Sequence, residues 1–90
     1  MKKYSVEITP QAKKLIDKLD NPIRTRILEY IHKNLEGCEN PRFRGKPLHG
    51  NLSDKWSYRV GNYRIIAEIE DDKILITVVD IDHRRHIYNR

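Results

Sequence analysis

The sequence lacks the features that mark secreted, membrane-bound and metal-binding chains. Cys38 is its only cysteine, so no internal disulfide can form, and a lone thiol fits a reducing cytosol. No apolar run approaches the roughly 20 residues that a membrane span requires, and the lysines near the start precede no long apolar segment. The histidines show no paired-ligand spacing. We therefore expect a cytoplasmic protein that contacts no membrane and binds neither a metal nor another cofactor.

Positive charge is what the chain has in excess, with a net charge of +5. Residues 42–64 contain a single acid, Asp54, and residues 83–90 contain none. If these two basic blocks meet in space, they form one surface for a polyanion. A solvated basic face that only aids solubility explains the same composition. The basic side chains of the first block are Arg42, Arg44, Lys46, Lys55, Arg59 and Arg64.

Two helices are predicted in the first half of the chain, after a short strand over residues 3–8. Thr9-Pro10 places an N-cap residue before a proline at the first helical position, and Asp20-Asn21-Pro22 repeats that signal. Apolar residues at helical spacing follow each start, and Gly37 supplies the second helix end. The short link between the helices predicts a helical hairpin that packs on a flat partner.

Three strands are predicted in the second half, over residues 56–60, 63–70 and 73–81, after a long basic loop over 38–54. The whole pattern is β-α-α-β-β-β. It indicates an α+β fold, in which the helical hairpin packs on one face of a small, mostly antiparallel sheet. With no repeat and no internal boundary, residues 1–90 form one predicted domain.

The stretch WSYRVGNYR, residues 56–64, predicts a hairpin that places two arginines opposite each other. With Gly61-Asn62 as a two-residue type II′ turn, Arg59 pairs with Arg64. Continuing the ladder through a two-residue Asp71-Asp72 turn brings His83 to the same face, away from the helices. Like charges in direct register are destabilising, so this convergence predicts an anion site.

A purely structural role is the alternative, and it explains the convergence of two arginines, a histidine and the basic tail less well. The arginines can turn apart into solvent, or pair with Glu68 and Asp82. The ending DHRRHIYNR is either a frayed basic terminus with Tyr88 against the core or a functional segment, in which the arginines match phosphate geometry and the histidines titrate near neutral pH.

Taken together, the sequence resembles the RelE toxins of type II toxin–antitoxin systems, within the RelE/ParE superfamily. The resemblance covers nearly the whole chain and includes KPLHGNL at 46–52, WSYRVGNYRIIAEI at 56–69 and DHRRHIY at 82–88. The W-x-x-R-V-G-x-Y-R segment is fairly specific to the superfamily. The H-R-x-x-x-Y ending points to its RNA-cleaving branch.

The resemblance implies a ribosome-dependent mRNA interferase that cuts mRNA in the A site without a metal. The ribose 2′-OH attacks the adjacent phosphate and the 5′-oxygen leaves, so the enzyme must move protons and stabilise a phosphorane. By position in the family motifs, phosphate and transition-state charge fall to Arg59, Arg64 and Arg84. His83 is the candidate acid or base, and Tyr88 stacks on or orients the nucleotide. RNA binding is assigned to Arg42, Arg44, Lys46, Lys55 and Arg85.

Ser57 departs from the family pattern, because the best-known members carry a basic residue there. This departure motivates one alternative, a nucleic-acid-binding module without catalysis. A second alternative is a ParE-like inhibitor of DNA gyrase, against which the tail sequence argues. The family also implies a cognate antitoxin as partner, ribosome and mRNA as targets, and operator DNA bound by the toxin–antitoxin complex through the antitoxin.

Overall fold

The computed structural model describes residues 2–48 and 55–83, and within them one five-stranded sheet. The spatial order of its strands is β1-β5-β4-β3-β2. β1 runs parallel to β5, and every other neighbouring pair is antiparallel. This mixed sheet confirms the predicted α+β class. The strands are β1 (Ser5–Ile8), β2 (Lys46–Pro47), β3 (Lys55–Val60), β4 (Tyr63–Glu70) and β5 (Leu75–His83).

The two predicted helices are α1 (Pro10–Asp17) and α2 (Asn21–Tyr30). The Thr9 hydroxyl accepts a 3.1 Å hydrogen bond from the Ala12 amide, so Thr9 is the expected N-cap. A π-helical turn, Ile31–Leu35, continues α2 directly. The chain then changes direction at Gly37, whose φ of +80° is a left-handed conformation that glycine adopts without a steric penalty. None of the helices in the described ranges is long and apolar enough to cross a membrane.

The core lies between the helices and one face of the sheet. α1, α2 and the π-helical turn each contribute side chains that are almost fully buried, and β3, β4 and β5 supply the facing layer. Burial of this layer from water is the main force that holds the helices on the sheet. Its central members are Ala12, Ile16, Ile27, Ile31, Leu35, Tyr58, Val60, Ile65, Ala67, Ile76, Val78 and Ile81.

The ladder between β4 and β5 differs from the predicted one in two places. The connecting turn has four residues rather than two, so Glu70 pairs with Leu75 and the register shifts by two. A shift of two leaves every side chain on its predicted face. A β-bulge between Ile66 and Ala67 then adds one more residue, and this odd step reverses the faces beyond it.

The bulge makes the predicted position of His83 wrong. Ile81 pairs with Ile65 and joins the core, and His83 pairs with Tyr63 on the helix side of the sheet. The two rings meet edge to face with centroids 4.9 Å apart. His83 therefore lies on the opposite face of the sheet from Arg64, the residue it was expected to accompany.

Much of the predicted 38–54 loop is fixed against the sheet. The buried Tyr58 phenol donates a 2.6 Å hydrogen bond to the Pro41 carbonyl. At Gly45 the backbone passes so close that an added Cβ would lie 2.9 Å from Tyr58 Cε1. β2 then pairs with β3 through Lys46 and Pro47. A short edge strand thus replaces part of the expected loop.

Candidate nucleic-acid interface

The hairpin of β3 and β4 places Arg59 directly opposite Arg64, as predicted. Gly61 has a φ of +59° and Asn62 has no positive φ, which is the pattern of a type II′ turn. Tyr58 and Val60 point into the core, so the alternation of a strand sends Arg59 and Arg64 to the side away from the helices. We call this side of the sheet the arginine face.

Two lysines share the arginine face. Lys55 pairs in register with Glu68, and its ammonium lies 2.8 Å from the Glu68 carboxylate. Lys46 pairs with Ser57 across the β2–β3 ladder. Because directly paired residues place their side chains on the same face, Lys46 lies beside the position where the family motif has a basic residue and this chain has serine. Sequence alone did not indicate this neighbour.

Acidic residues border the arginine face on one flank. Asp82 stands directly across from Arg64 in the β4–β5 ladder, so it offsets part of the repulsion between the two arginines. Arg59 is exposed and Arg64 is half-buried. The charge on this face is therefore graded, with Lys46 and Arg59 toward the β2 edge and carboxylates toward β5.

Arg42 is held by a cluster outside the arginine face. Its guanidinium makes two hydrogen bonds to the Asp71 carboxylate, at 3.1 and 3.0 Å, and the Tyr4 hydroxyl donates to the same carboxylate at 2.6 Å. The guanidinium also lies 5.6 Å from the Trp56 ring centroid. Hydrogen bonds from Arg42 and then Tyr4 lower the pKa of Asp71, and the bond to Asp71 raises the pKa of Tyr4. This geometry gives Arg42 a structural role beside its predicted RNA contact.

Arg44 is exposed and lies next to Phe43, which was not among the predicted site residues. Its guanidinium carbon is 5.9 Å from the ring centroid of Phe43. Phe43 is 77% exposed, more than the other exposed large apolar residue of the described ranges. An aromatic residue between Arg42 and Arg44 was the available sequence signal, because such alternation is typical of surfaces that bind single-stranded nucleic acid.

The remaining reactive groups of the described ranges do not form a catalytic centre of another kind. Burial raises the pKa of the Cys38 thiol, which disfavours its nucleophilic thiolate form. Burial likewise raises the pKa of Tyr58 and Tyr30. No three histidine, cysteine or acidic side chains within residues 2–48 and 55–83 lie close enough together to hold a metal ion.

The predicted site residues of the tail lie outside the described residues. They are Arg84, Arg85 and Tyr88. The structure therefore brings together Arg59, Arg64, Lys46 and Lys55, and it separates His83 from them by the thickness of the sheet.

Comparison with known proteins shows that the chain is similar to toxins of type II toxin–antitoxin systems. A family model described as the ParE toxin of the type II toxin–antitoxin system parDE matches residues 6–88. Toxin RelG of Mycobacterium tuberculosis is 32% identical over 87 residues, which is 97% of this chain and 98% of RelG. Toxin RelE of the same organism is 31% identical over 85 residues, which is 94% of this chain and 86% of that toxin.

A solved structure shows the same fold at similar identity. It is the crystal structure of the toxin–antitoxin complex RelBE2 from M. tuberculosis. The match has a TM-score of 0.83 and 31% sequence identity, and it covers 93% of this chain and 94% of the chain compared. The similarity in fold therefore extends over nearly the whole chain.

Proposed function

Because this chain belongs to the RelE/ParE family of type II toxin–antitoxin toxins, we propose that it is a ribosome-dependent mRNA interferase. The observation that carries the proposal is the direct pairing of Arg59 with Arg64 on a face that also holds Lys46 and Lys55. A stable hairpin gains nothing from opposed arginines, and an RNA phosphate between them removes their repulsion.

The proposed reaction is attack of a ribose 2′-OH on the adjacent phosphate, with departure of the 5′-oxygen. Arg59 and Arg64 stabilise the additional charge of the phosphorane, since guanidinium groups present paired donors to phosphate oxygens. Lys46 supplies a further cation beside Ser57. Arg84 and Tyr88 keep the roles that the family resemblance gives them: charge stabilisation and nucleotide orientation.

The proton-transfer role expected of His83 does not fit its position in the sheet. Its ring packs edge-on against Tyr63 on the helix side, whereas the arginines are on the other side. We therefore do not include His83 among the residues that are proposed to stabilise the charge of the phosphorane. Its imidazole serves there as an aromatic partner that fixes the end of β5.

The proposed partners follow from the relatives. The RelBE2 match is a toxin–antitoxin complex, so we propose a cognate antitoxin that binds this chain and carries its operator-DNA contact. mRNA and the ribosome are the proposed targets. The cytoplasm is the compartment where all of these partners occur.

Action on DNA gyrase is the second candidate function, because the matching family model bears the ParE name. The RelG and RelE relatives and the pair of opposed arginines favour RNA instead. A non-catalytic RNA-binding module, suggested by Ser57, is the third.

Primer extension on translated mRNA after addition of the purified protein tests all three functions. The interferase produces new 5′ ends within codons at the A site. A gyrase inhibitor leaves the mRNA intact and blocks supercoiling in a parallel assay, and a binding module leaves both unchanged. Intact mRNA in the presence of active ribosomes would overturn the proposal.

A further inference from the structure

Two surface clefts adjoin on the side of the molecule where the π-helical turn meets β3 and the 38–45 loop. One has a volume of about 300 Å³ and includes Arg26, Tyr30 and Arg59 in its lining. The other has a volume of about 380 Å³ and includes Phe43 and Arg44. Lys33 and Asn34 line both clefts, which therefore adjoin at these two residues and make up one composite groove. We call it the helix-side groove.

The lining of the helix-side groove is predominantly basic. Arg26, Lys33, Arg44 and Arg59 contribute four positive charges, against two negative charges from Glu29 and Glu39. The Lys33 ammonium is 3.9 Å from the Glu29 carboxylate, and both side chains are more than half exposed. Exposed pairs of this kind are weak, so Lys33 can exchange its partner for a phosphate at little cost.

Phe43 gives one end of the groove an exposed aromatic surface. At 77% exposure its ring contributes little to the core, although burial of a phenylalanine normally stabilises a fold. The Arg44 guanidinium beside the ring adds a second flat group. Unpaired bases stack on such aromatic and guanidinium planes, while adjacent cations hold the backbone.

Arg59 links the groove to the arginine face. The β2 ladder pairs with Trp56 and Ser57, so Arg59 lies two residues beyond its end, on a stretch of β3 that β2 does not cover. One RNA strand that leaves the arginine face at this edge would enter the groove directly. The basic lining also argues against a protein partner with an apolar contact surface, because Leu28, the other exposed large apolar residue within 2–48 and 55–83, lines neither cleft.

We propose that the helix-side groove binds single-stranded RNA that continues from the arginine face, with an unpaired base stacked on Phe43. The proposal rests on the proposed function for the identity of the RNA, and it adds Arg26, Lys33 and Phe43 to the interface. The backbone phosphates lie along Arg59, Arg26 and Lys33, and the stacked base ends the bound segment near Arg44.

The test uses the full chain and a short single-stranded oligoribonucleotide that carries one 2-aminopurine. Stacking on Phe43 quenches the probe fluorescence. Phe43→Ala weakens binding about tenfold, abolishes the quenching and leaves the slope of log Kd against log salt unchanged. Phe43→Trp retains both binding and quenching, whereas Phe43→Leu, which keeps apolar area without a ring, behaves like the alanine variant.

A pair of lysine variants tests the backbone contact. Lys33→Gln lowers the salt slope by about 0.7, the value for one phosphate contact on a single strand. Lys13→Gln is the matched control, because Lys13 is similarly exposed and also pairs with an acid one helical turn away, but it lies on α1 outside the groove. The control leaves affinity and slope equal to those of the wild type.

The same variants in the mRNA cleavage assay separate this inference from the proposed function. If the wild type cuts mRNA but neither Phe43→Ala nor Lys33→Gln changes oligonucleotide binding, RNA binding in the groove is overturned and the interferase proposal stands. If Phe43→Ala weakens oligonucleotide binding but the wild-type protein cuts no mRNA, the result supports the groove as an RNA site and overturns the interferase proposal. If Phe43→Ala leaves the RNA affinity unchanged and alters only the binding of the antitoxin, the groove belongs to a protein partner and is not an RNA site.

Discussion

Among single residues, Tyr58 holds the 38–45 loop to the sheet, because its fully buried phenol donates to the Pro41 carbonyl. Tyr58→Phe leaves that buried carbonyl without its donor, so we expect a loss of about 1–3 kcal/mol in the free energy of unfolding. Urea denaturation measures it. Tyr30→Phe is the control, since the Tyr30 phenol donates to no residue in the described ranges. Equal urea midpoints for wild type and Tyr58→Phe would contradict this role.

Asp71 is the residue that ties stability to pH. Arg42 and Tyr4 lower its pKa in the folded state, so the folded protein binds the Asp71 proton less tightly than the unfolded chain does. Its contribution is therefore complete above the unfolded pKa of about 4 and is lost as the pH falls through the folded value. The difference in unfolding free energy between wild type and Asp71→Asn should shrink below about pH 4.

Asp72→Asn is the matched control for this titration, because it removes the same charge one residue away from the cluster. Both variants are followed by urea denaturation over the same pH range, and the narrowing assigned to the Asp71 contacts is the part that Asp72→Asn does not show. A stability difference between wild type and Asp71→Asn that grows as the pH falls would contradict the assigned role of Asp71.

At the scale of elements, the hairpin of β3 and β4 could be predicted because its turn sequence fixes its register. Gly61 takes the positive φ that the turn requires, and the pairs from Val60–Tyr63 outward follow from it. Thr9 and Pro10 likewise predicted the start of α1. The second helix begins at Asn21, one residue before the expected Pro22, and its N-cap Asp20 makes no side-chain hydrogen bond. These features depend on residues that are neighbours in sequence, and their physical causes are local.

The β4–β5 ladder could not be predicted, because its irregularities depend on the assembled core. Ile74 adopts a φ of +52°, which is unfavourable for a β-branched residue and which no sequence rule would assign to it. Its side chain packs against the core, and its carbonyl accepts from the Ser5 amide at 3.0 Å. Tertiary packing thus sets the turn, and the bulge then places Ile81 in the core instead of outside.

Cysteine pairs test this register in a Cys38→Ser background. Tyr63→Cys with His83→Cys places two thiols on directly paired residues, so we expect ready oxidation to a disulfide. Arg64→Cys with Ile81→Cys is the control, since the bulge places those side chains on opposite faces of the sheet. Mass spectrometry under mild oxidant distinguishes the pairs. Preferential closure of the Arg64–Ile81 pair, which a ladder without the bulge would bring into direct register, would contradict the bulge.

The pairing of β2 with β3 places Lys46 beside Ser57, where the family motif has a basic residue. If Lys46 supplies that charge from the neighbouring strand, Lys46→Gln lowers the rate of mRNA cleavage about tenfold. Adding Ser57→Lys to that variant returns a cation to the same face and recovers part of the rate. Single-turnover cleavage measures both, with Lys13→Gln as control. Wild-type rates in Lys46→Gln would remove Lys46 from the site.

At the scale of the whole molecule, the sheet separates two tasks. One face holds the helices and nearly all of the core, and the other presents Lys46, Lys55, Arg59 and Arg64. The exposed charges of the second face, Lys46 and Arg59, can therefore change with little effect on packing, whereas Arg64 is half-buried. The sequence could predict the arginine pair, which depends on one turn, but it could not exclude His83 from the face or include Lys46. Both placements depend on strands that pair only after folding.

Cleavage of ribosome-bound mRNA by Arg64→Ala tests the central claim most directly, because Arg64 stands at the middle of the arginine face. Circular dichroism first establishes that the variant is folded, and Lys13→Ala controls for the loss of one positive charge elsewhere. We predict a fall of about 10²–10³ in the single-turnover rate at saturating protein, the usual loss when one transition-state donor is removed. A folded Arg64→Ala protein that cuts mRNA at the wild-type rate would contradict the claim.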